Sequence, residues 1–272
     1  MSPVAAVARL VHPFPSLAVA ALTAALVPFA APSGEAALAA QLCIGMLLYQ
    51  FAIGAANDLA DLDLDRVHKP SKPLARGALP PRTARLLTIL LAGAGMAVTS
   101  TLDLLPWLIG IAGLGCGLVY DLSLKRTALA FVPLCVAVPL IPIWVWSAAG
   151  EWDALLWAAL PAGGLIGFAI YLVNQVPGSA SERASGVEGL AQMLGPRVSV
   201  LLGVAAFGLA SSVAAVALVL AGEAGRALLV ALAALVTVLL APRSVRFFGR
   251  DGLFGVFVAS GAAVALVYLS AV

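Results

Sequence analysis

Charge is the scarcest property of this sequence. Only 10% of its 272 residues are charged, whereas 62% are hydrophobic, and the mean hydropathy is +1.08. A soluble globular domain has about 25% charged residues, so most of this surface is expected to contact membrane lipid. The net charge of +2 is too small to indicate a nucleic acid partner, and the sequence has no nucleic-acid-binding motif.

Cysteines and long polar segments are also scarce. The three cysteines, Cys43, Cys116 and Cys135, lie in apolar stretches without CxxC or Cys/His spacing, which argues against a zinc site or a disulfide framework. The longest polar stretch, about residues 58–85, is shorter than a self-sufficient soluble core needs. The chemistry of this protein is therefore expected in loops or at helix ends.

Long apolar runs are abundant instead. A helix needs about 20 apolar residues to cross a bilayer, and it pairs its own backbone. The runs are continuous and rich in Ala and Leu, which favours helices over the alternating pattern of a β-barrel. We predict an all-α polytopic membrane protein with a single domain, 1–272, whose first helix is retained rather than cleaved. The nine predicted spans are 14–31, 36–57, 83–102, 105–121, 128–149, 154–175, 198–221, 225–241 and 253–271.

Basic residues define the predicted orientation. If the N-terminus is cytoplasmic, the loops after the second, fourth, sixth and eighth spans are cytoplasmic too, and with the N-terminal segment they contain every Lys and Arg except Arg226. The opposite loops are mainly acidic. The positive-inside rule thus predicts a cytoplasmic N-terminus, cytoplasmic site loops and an external C-terminus, in a bacterial-type inner membrane.

An acidic cluster follows the second span. Asp58, Asp61 and Asp65 are spaced i, i+3, i+7, so they share one face if the helix continues. Asn57 lies on the same face, whereas Asp63 points away from it. Three neighbouring carboxylates repel unless a cation neutralises them, and Mg²⁺ suits carboxylate and phosphate oxygens. The alternative is a solvated juxtamembrane face, although topology does not require four acidic residues there.

A basic loop comes next. Lys69, Lys72 and Arg76 alternate with prolines, and the loop ends at Gly77. Such a loop can fold back over the acidic face and donate charge-assisted hydrogen bonds to a diphosphate. In the alternative interpretation, these cations only enforce the membrane orientation.

These segments resemble a known family. Residues 57–65, of the pattern N-D-x-x-D-x-x-x-D, and the basic segment to Gly77 resemble the first Asp-rich motif of the UbiA superfamily of intramembrane prenyltransferases. Residues 9–13, 120–126 and 174–177 resemble further segments of the family. The resemblance implies nine helices around a central cavity open to the cytoplasm, with Mg²⁺ and an isoprenyl diphosphate held by two Asp-rich motifs.

Spacing and resemblance together give a predicted site. The predicted catalytic residues are Asp58, Asp61, Asp65 and Lys125. The predicted diphosphate-binding residues are Asn57, Lys69, Lys72, Arg76, Tyr120, Lys125, Arg126 and Asn174. The predicted metal ligands are Asn57, Asp58, Asp61, Asp65 and Glu182. His12 can line the same polar entrance or only cap the helix behind Pro13.

The second Asp-rich motif departs from the family pattern. The two carboxylate positions of this motif are occupied by Gly178 and Glu182, so a second metal ion would be held more weakly. Three functions remain, in order of preference: prenyl transfer to an aromatic or lipid acceptor, cyclisation of the isoprenyl diphosphate without an acceptor, and isoprenoid binding without catalysis. The intact first motif, with Lys125 and Arg126, favours an enzyme.

Small and aromatic residues leave further interpretations open. The glycines near the first motif and in the fourth span allow either close helix packing or room for a prenyl chain. These positions are Gly54, Gly113, Gly115 and Gly117. Trp144, Trp146 and Trp152, at the outer end of the fifth span, are interpreted as an interfacial aromatic belt.

Overall fold

Helices are the only regular secondary structure in the described part of the chain. The computed structural model describes residues 2–31, 36–176 and 189–272, with the backbone alone for 242–251. The helical structure of these residues confirms the predicted all-α class. The helices are α1 Pro3–Leu10, α2 Pro13–Ala30, α3 Ala36–Ala60, α4 Leu62–His68, α5 Pro81–Thr99, α6 Leu104–Val119, α7 Val132–Ala149, α8 Leu156–Gln175, α9 Leu190–Leu220 and α10 Ala224–Leu269.

Eight stretches within the described residues are long and apolar enough to cross a membrane. They lie in α2, α3, α6 with the turn that follows it, α7, α8 and α9, and twice in α10. The predicted count of nine is not confirmed, because the span predicted at 83–102 is α5, which is not among the eight. Its first five residues include Arg82 and Arg85, which lower its apolar character. The predicted central cavity and its cytoplasmic opening stay predictions.

Two helix boundaries differ from the predicted ones. Helix α9 begins at Leu190 rather than near 198, and it bends at Gly195, whose φ of 77° and ψ of 164° are not helical. The predicted break between 241 and 253 is absent from the backbone, which is helical through all of α10. The connecting residues include Pro242, Gly249 and Gly252, which commonly end helices, so the sequence favoured a break that the backbone does not show.

The chain contains two compact units, and the first comprises Met1–Ser123 and Trp144–Glu151. Helix α3 lies at its centre and packs against α1, α2, α4, α5 and α6. Small residues allow this close packing: a Cβ at Gly117 would lie 2.3 Å from Ile53, and one at Gly95 would lie 2.7 Å from Tyr49. The helix that carries the acidic cluster is therefore held on several sides.

The aromatic-belt interpretation is wrong for two of the three tryptophans. Trp144 is 2% exposed and Trp146 is 1% exposed, whereas Trp152 is half exposed. The Trp144 ring lies 6.2 Å from that of Tyr49, centroid to centroid, within the first unit. Hydropathy does not distinguish a helix face in the protein core from one in lipid, so the predicted interfacial position of Trp144 and Trp146 was wrong.

The second unit comprises Leu124–Ile143 and Trp152–Val272. Helix α8 packs against α9 and α10, which also pack against each other. At the crossing of α8 with the first part of α7, a Cβ at Gly167 would lie 2.4 Å from the carbonyl oxygen of Leu134. The Tyr268 hydroxyl donates a hydrogen bond of 2.7 Å to the Leu155 carbonyl and ties the end of α10 to the start of α8.

Candidate active site at the end of the second membrane helix

The acidic cluster lies where α3 passes into α4. The helix bends at Asp61, yet two backbone bonds continue its four-residue ladder, from Asp61 N to the Asn57 carbonyl (3.0 Å) and from Asp65 N to the Asp61 carbonyl (2.7 Å). Asp58, Asp61 and Asp65 are 1%, 8% and 4% exposed. The Asp63 side chain is 91% exposed and pairs with Arg66. The structure thus has the acidic face that the spacing predicted.

The loop after α4 returns to this face and brings a lysine with it. Leu74 and Leu79 are buried in a cluster with Leu10 and Ala55, which anchors the loop against α1 and α3. Gly77, with φ of 72°, allows the chain to turn into α5. The loop therefore has a fixed position beside the end of α3.

Lys72 bridges two of the buried carboxylates. Its Nζ donates to Asp58 Oδ1 at 2.7 Å and to Asp65 Oδ2 at 2.6 Å, and its side chain is 20% exposed. Burial lowers the pKa of Lys72, but the hydrogen bonds and charges of Asp58 and Asp65 outweigh it and raise the pKa above its usual value. The bridging group is therefore an ammonium at neutral pH.

His12 contacts Asp58, although it was not among the predicted site residues. It joins α1 to α2 with φ of 48°, a left-handed conformation that is uncommon outside glycine, and its Nε2 donates to Asp58 Oδ1 at 2.9 Å. Gly54 permits this approach, since a Cβ there would lie 2.9 Å from the Val11 carbonyl oxygen. The His-Pro pair at the entry to the first span was the signal in the sequence, but it did not identify Asp58 as the partner.

Asn57 is held from another direction. Its Nδ2 donates to Asp121 Oδ1 at 2.6 Å. Asp121 is buried in a π-helical turn, Tyr120–Leu124, that continues α6, and such turns are frequent at functional sites. Because the side-chain Nδ2 is engaged in this way, the side-chain Oδ1 of Asn57 is the atom suited to a metal ion.

The other predicted site residues differ in their exposure to solvent. Exposed side chains are those of Lys69, Arg76, Arg126 and Asn174, and half-buried ones are those of Tyr120 and Lys125. Glu182 and Gly178 lie outside the described residues. Lys125, Arg126 and Asn174 belong to the second unit, and their predicted roles remain predictions.

The donor set suits a hard divalent cation. Carboxylate oxygens are ligands that Mg²⁺ prefers, and the buried Asp58 Oδ2 has no hydrogen-bond partner within the described structure. Over the same residues, no group of three or more His, Cys, Asp or Glu side chains is arranged to hold a metal ion. The ligand types thus suit Mg²⁺, but the described side chains are not arranged around a metal position. In this arrangement the ammonium of Lys72 lies between Asp58 and Asp65.

The fold and the site define a class of protein: an integral membrane protein of apolar helices, with buried carboxylates where one membrane helix ends. The sequence comparison narrows this class. Residues 14–253 match the model of the UbiA prenyltransferase family, and the chain belongs to this family.

Individual relatives match parts of the chain. A digeranylgeranylglyceryl phosphate synthase of Metallosphaera sedula is 33% identical over 75 residues, 28% of this chain and 26% of that relative. A protoheme IX farnesyltransferase of Mycobacterium avium is 34% identical over 125 residues, 43% of this chain and 41% of that relative. The matched stretch thus covers less than half of either relative.

Solved structures match nearly the whole chain. A UbiA homologue from Archaeoglobus fulgidus bound to GPP and Mg²⁺ gives a TM-score of 0.73 at 17% identity, covering 96% of this chain and 99% of that chain. The apo structure of a UbiA homologue from Aeropyrum pernix gives 0.72 at 20% identity, covering 94% and 97%. At these identities the likeness establishes the fold.

Proposed function

We propose that this chain catalyses Mg²⁺-dependent transfer of a prenyl group from an isoprenyl diphosphate to a lipophilic or aromatic acceptor within the membrane. The observation that carries the proposal is the group of three carboxylates, Asp58, Asp61 and Asp65, each at most 8% exposed at the end of a membrane helix. Buried carboxylates there oppose stability, so a functional requirement explains them better than packing does.

The metal ion would be held by the first motif. Its ligands are Asn57, Asp58, Asp61 and Asp65, with Glu182 as a further ligand. When bound, Mg²⁺ neutralises negative charge on the diphosphate oxygens. Asp121 orients Asn57, and His12 orients Asp58, so two of the proposed ligands are held by partners from outside α3 and α4.

The cationic side chains act on the leaving group. The bond between C1 of the prenyl chain and the diphosphate oxygen breaks, the electron pair leaves with the diphosphate, and C1 bonds to the acceptor, which loses a proton. Charge therefore grows on the diphosphate in the transition state, where fixed cations stabilise it. The groups assigned to this role are Lys69, Lys72, Arg76, Lys125 and Arg126, with Tyr120 and Asn174 as polar partners.

The location follows the same proposal. The apolar helices hold the prenyl chain, and the site faces the cytoplasm, where soluble isoprenyl diphosphates are available. The distribution of Lys and Arg supports a cytoplasmic N-terminus, an external C-terminus and a bacterial-type inner membrane.

Terpene cyclisation is the second candidate. A cyclase ionises the same diphosphate but needs no acceptor, and the altered second motif, with Gly178 and Glu182, is the feature that favours a departure from ordinary transfer. Loss of catalysis with retained isoprenoid binding is the third.

One experiment distinguishes the three candidate functions. Purified protein is incubated with Mg²⁺ and geranyl, farnesyl or geranylgeranyl diphosphate, with and without acceptors of the classes that the relatives' names suggest: a glyceryl phosphate lipid, a haem and a coumarin. We expect diphosphate release that depends on an acceptor. Diphosphate release with a cyclic product in the absence of any acceptor would support cyclisation instead of transfer. No release under any condition would favour a binding protein.

A further inference from the structure

The position of Lys72 goes beyond what binding a diphosphate requires. Its ammonium lies between Asp58 and Asp65, at 2.7 and 2.6 Å, and both carboxylate side chains are almost fully buried, at 1% and 6% exposed. The nearby pair of Arg66 and Asp63 is different, because both side chains are more than half exposed. Lys72 therefore neutralises buried charge, whereas Arg66 meets a carboxylate in water.

An ammonium and a divalent cation compete for such a position. Both are compact charges that bind through carboxylate oxygens, and two of the oxygens that a metal would use are engaged by Lys72. Asp58 Oδ2 is buried and has no hydrogen-bond partner in the described structure, so Lys72 pairs with only some of the buried carboxylate oxygens.

We propose that Lys72 is a tethered counter-ion that competes with the metal ion for Asp58 and Asp65, and that metal binding releases its ammonium toward the diphosphate. This inference rests on the proposed function. The flexible stem of lysine allows the head to move while the loop stays anchored by Leu74 and Leu79. Without substrate, the ammonium offsets one of the two negative charges of Asp58 and Asp65 and keeps metal affinity low. With a diphosphate to receive it, metal and substrate bind with positive coupling.

The test compares Lys72→Gln with a matched control, Arg66→Gln, which removes one positive charge from the same region. Mn²⁺ binding to the full chain in nanodiscs is measured without isoprenoid, from the electron paramagnetic resonance signal of free Mn²⁺. Lys72→Gln is expected to bind Mn²⁺ at least about fivefold more tightly than wild type. Arg66→Gln should stay within about twofold, because exposed charges are screened. Lys72→Arg, which keeps the charge, should restore weak binding.

A second measurement uses the unaltered protein. Acetylation of Lys72 by acetic anhydride, followed by mass spectrometry, should accelerate severalfold when Mn²⁺ is added, while exposed Lys69 serves as the internal reference. Unchanged Lys72 labelling, or equal or weaker Mn²⁺ affinity in Lys72→Gln, would overturn the competition. If the wild type then still releases diphosphate, the proposed function survives alone. Absence of both Mn²⁺ binding and diphosphate release would overturn both proposals.

Discussion

At the scale of single residues, Asp58 is held by partners from two separate parts of the chain. Its Oδ1 accepts hydrogen bonds from His12 and Lys72, which come from the junction of α1 and α2 and from the loop after α4. Removing one partner of a buried charge commonly costs about 3–5 kcal/mol, because the other charge is left uncompensated. The two donors therefore fix the direction of Asp58 as well as its charge.

The backbone of His12 provides a prediction about strain. His12→Gly and His12→Ala both remove the bond to Asp58, but only glycine adopts φ of 48° without cost. His12→Ala should therefore be less stable than His12→Gly by about 1 kcal/mol. Thermal unfolding of the two purified variants in the same detergent measures the difference. Equal stability would show that the left-handed conformation at this position carries no strain.

Sequence reasoning predicted residues of the site unequally. The common face of Asp58, Asp61 and Asp65, and the outward direction of Asp63, follow from helical periodicity alone. The choice of Lys72 rather than Lys69 as the bridging cation does not, because it depends on how the prolines fold the loop and on the burial of Leu74. Contacts of long sequence separation, such as that of His12, leave no periodic signal.

At the scale of helices, glycines decide how close α3 comes to its neighbours. The sequence left open whether they serve packing or leave room for a prenyl chain. Gly54 and Gly117 meet neighbouring atoms at once, so packing explains them, whereas a Cβ at Gly113 or Gly115 would meet nothing within 4 Å. The same residue type therefore has different roles at different positions.

This difference gives a matched pair of substitutions. In Gly54→Ala the new Cβ would lie 2.9 Å from the Val11 carbonyl oxygen, a backbone atom that moves only if the junction of α1 and α2 shifts. We expect a loss of about 1–3 kcal/mol in stability and a weakened contact between His12 and Asp58. Gly113→Ala should leave the melting temperature unchanged or slightly higher. Equal melting temperatures for both variants would contradict the packing role of Gly54.

Helix boundaries were predicted least well where polar residues interrupt apolar ones. The bend at Gly195 and the unbroken backbone of α10 both lie beside arginines, which the sequence analysis had placed in loops. Charged residues indicate where a helix leaves the apolar core, but a helix can continue through the interface into water. Composition therefore locates membrane crossings better than it locates helix ends.

At the scale of the whole molecule, composition alone was sufficient for the class. A chain with 62% hydrophobic residues and long apolar runs has few alternatives to membrane helices, and the family match agrees with the motif at 57–65. The identity of an acceptor is not predicted in this way, because periodicity does not encode the shape of a binding pocket. The second motif is altered in sequence, so more of the proposed metal binding falls to the first.

In the proposed function, the buried face of the first motif binds the metal ion needed to release diphosphate. The most direct test compares Asp65→Asn with Asp63→Asn, two isosteric changes that are two residues apart on opposite faces. Diphosphate release from geranylgeranyl diphosphate is measured for each full-length variant in nanodiscs, over a Mg²⁺ titration with the effective acceptor present. Asp65→Asn should lose at least about a hundredfold of the wild-type rate, and Asp63→Asn should retain it. Equal activity of the two variants would contradict the claim.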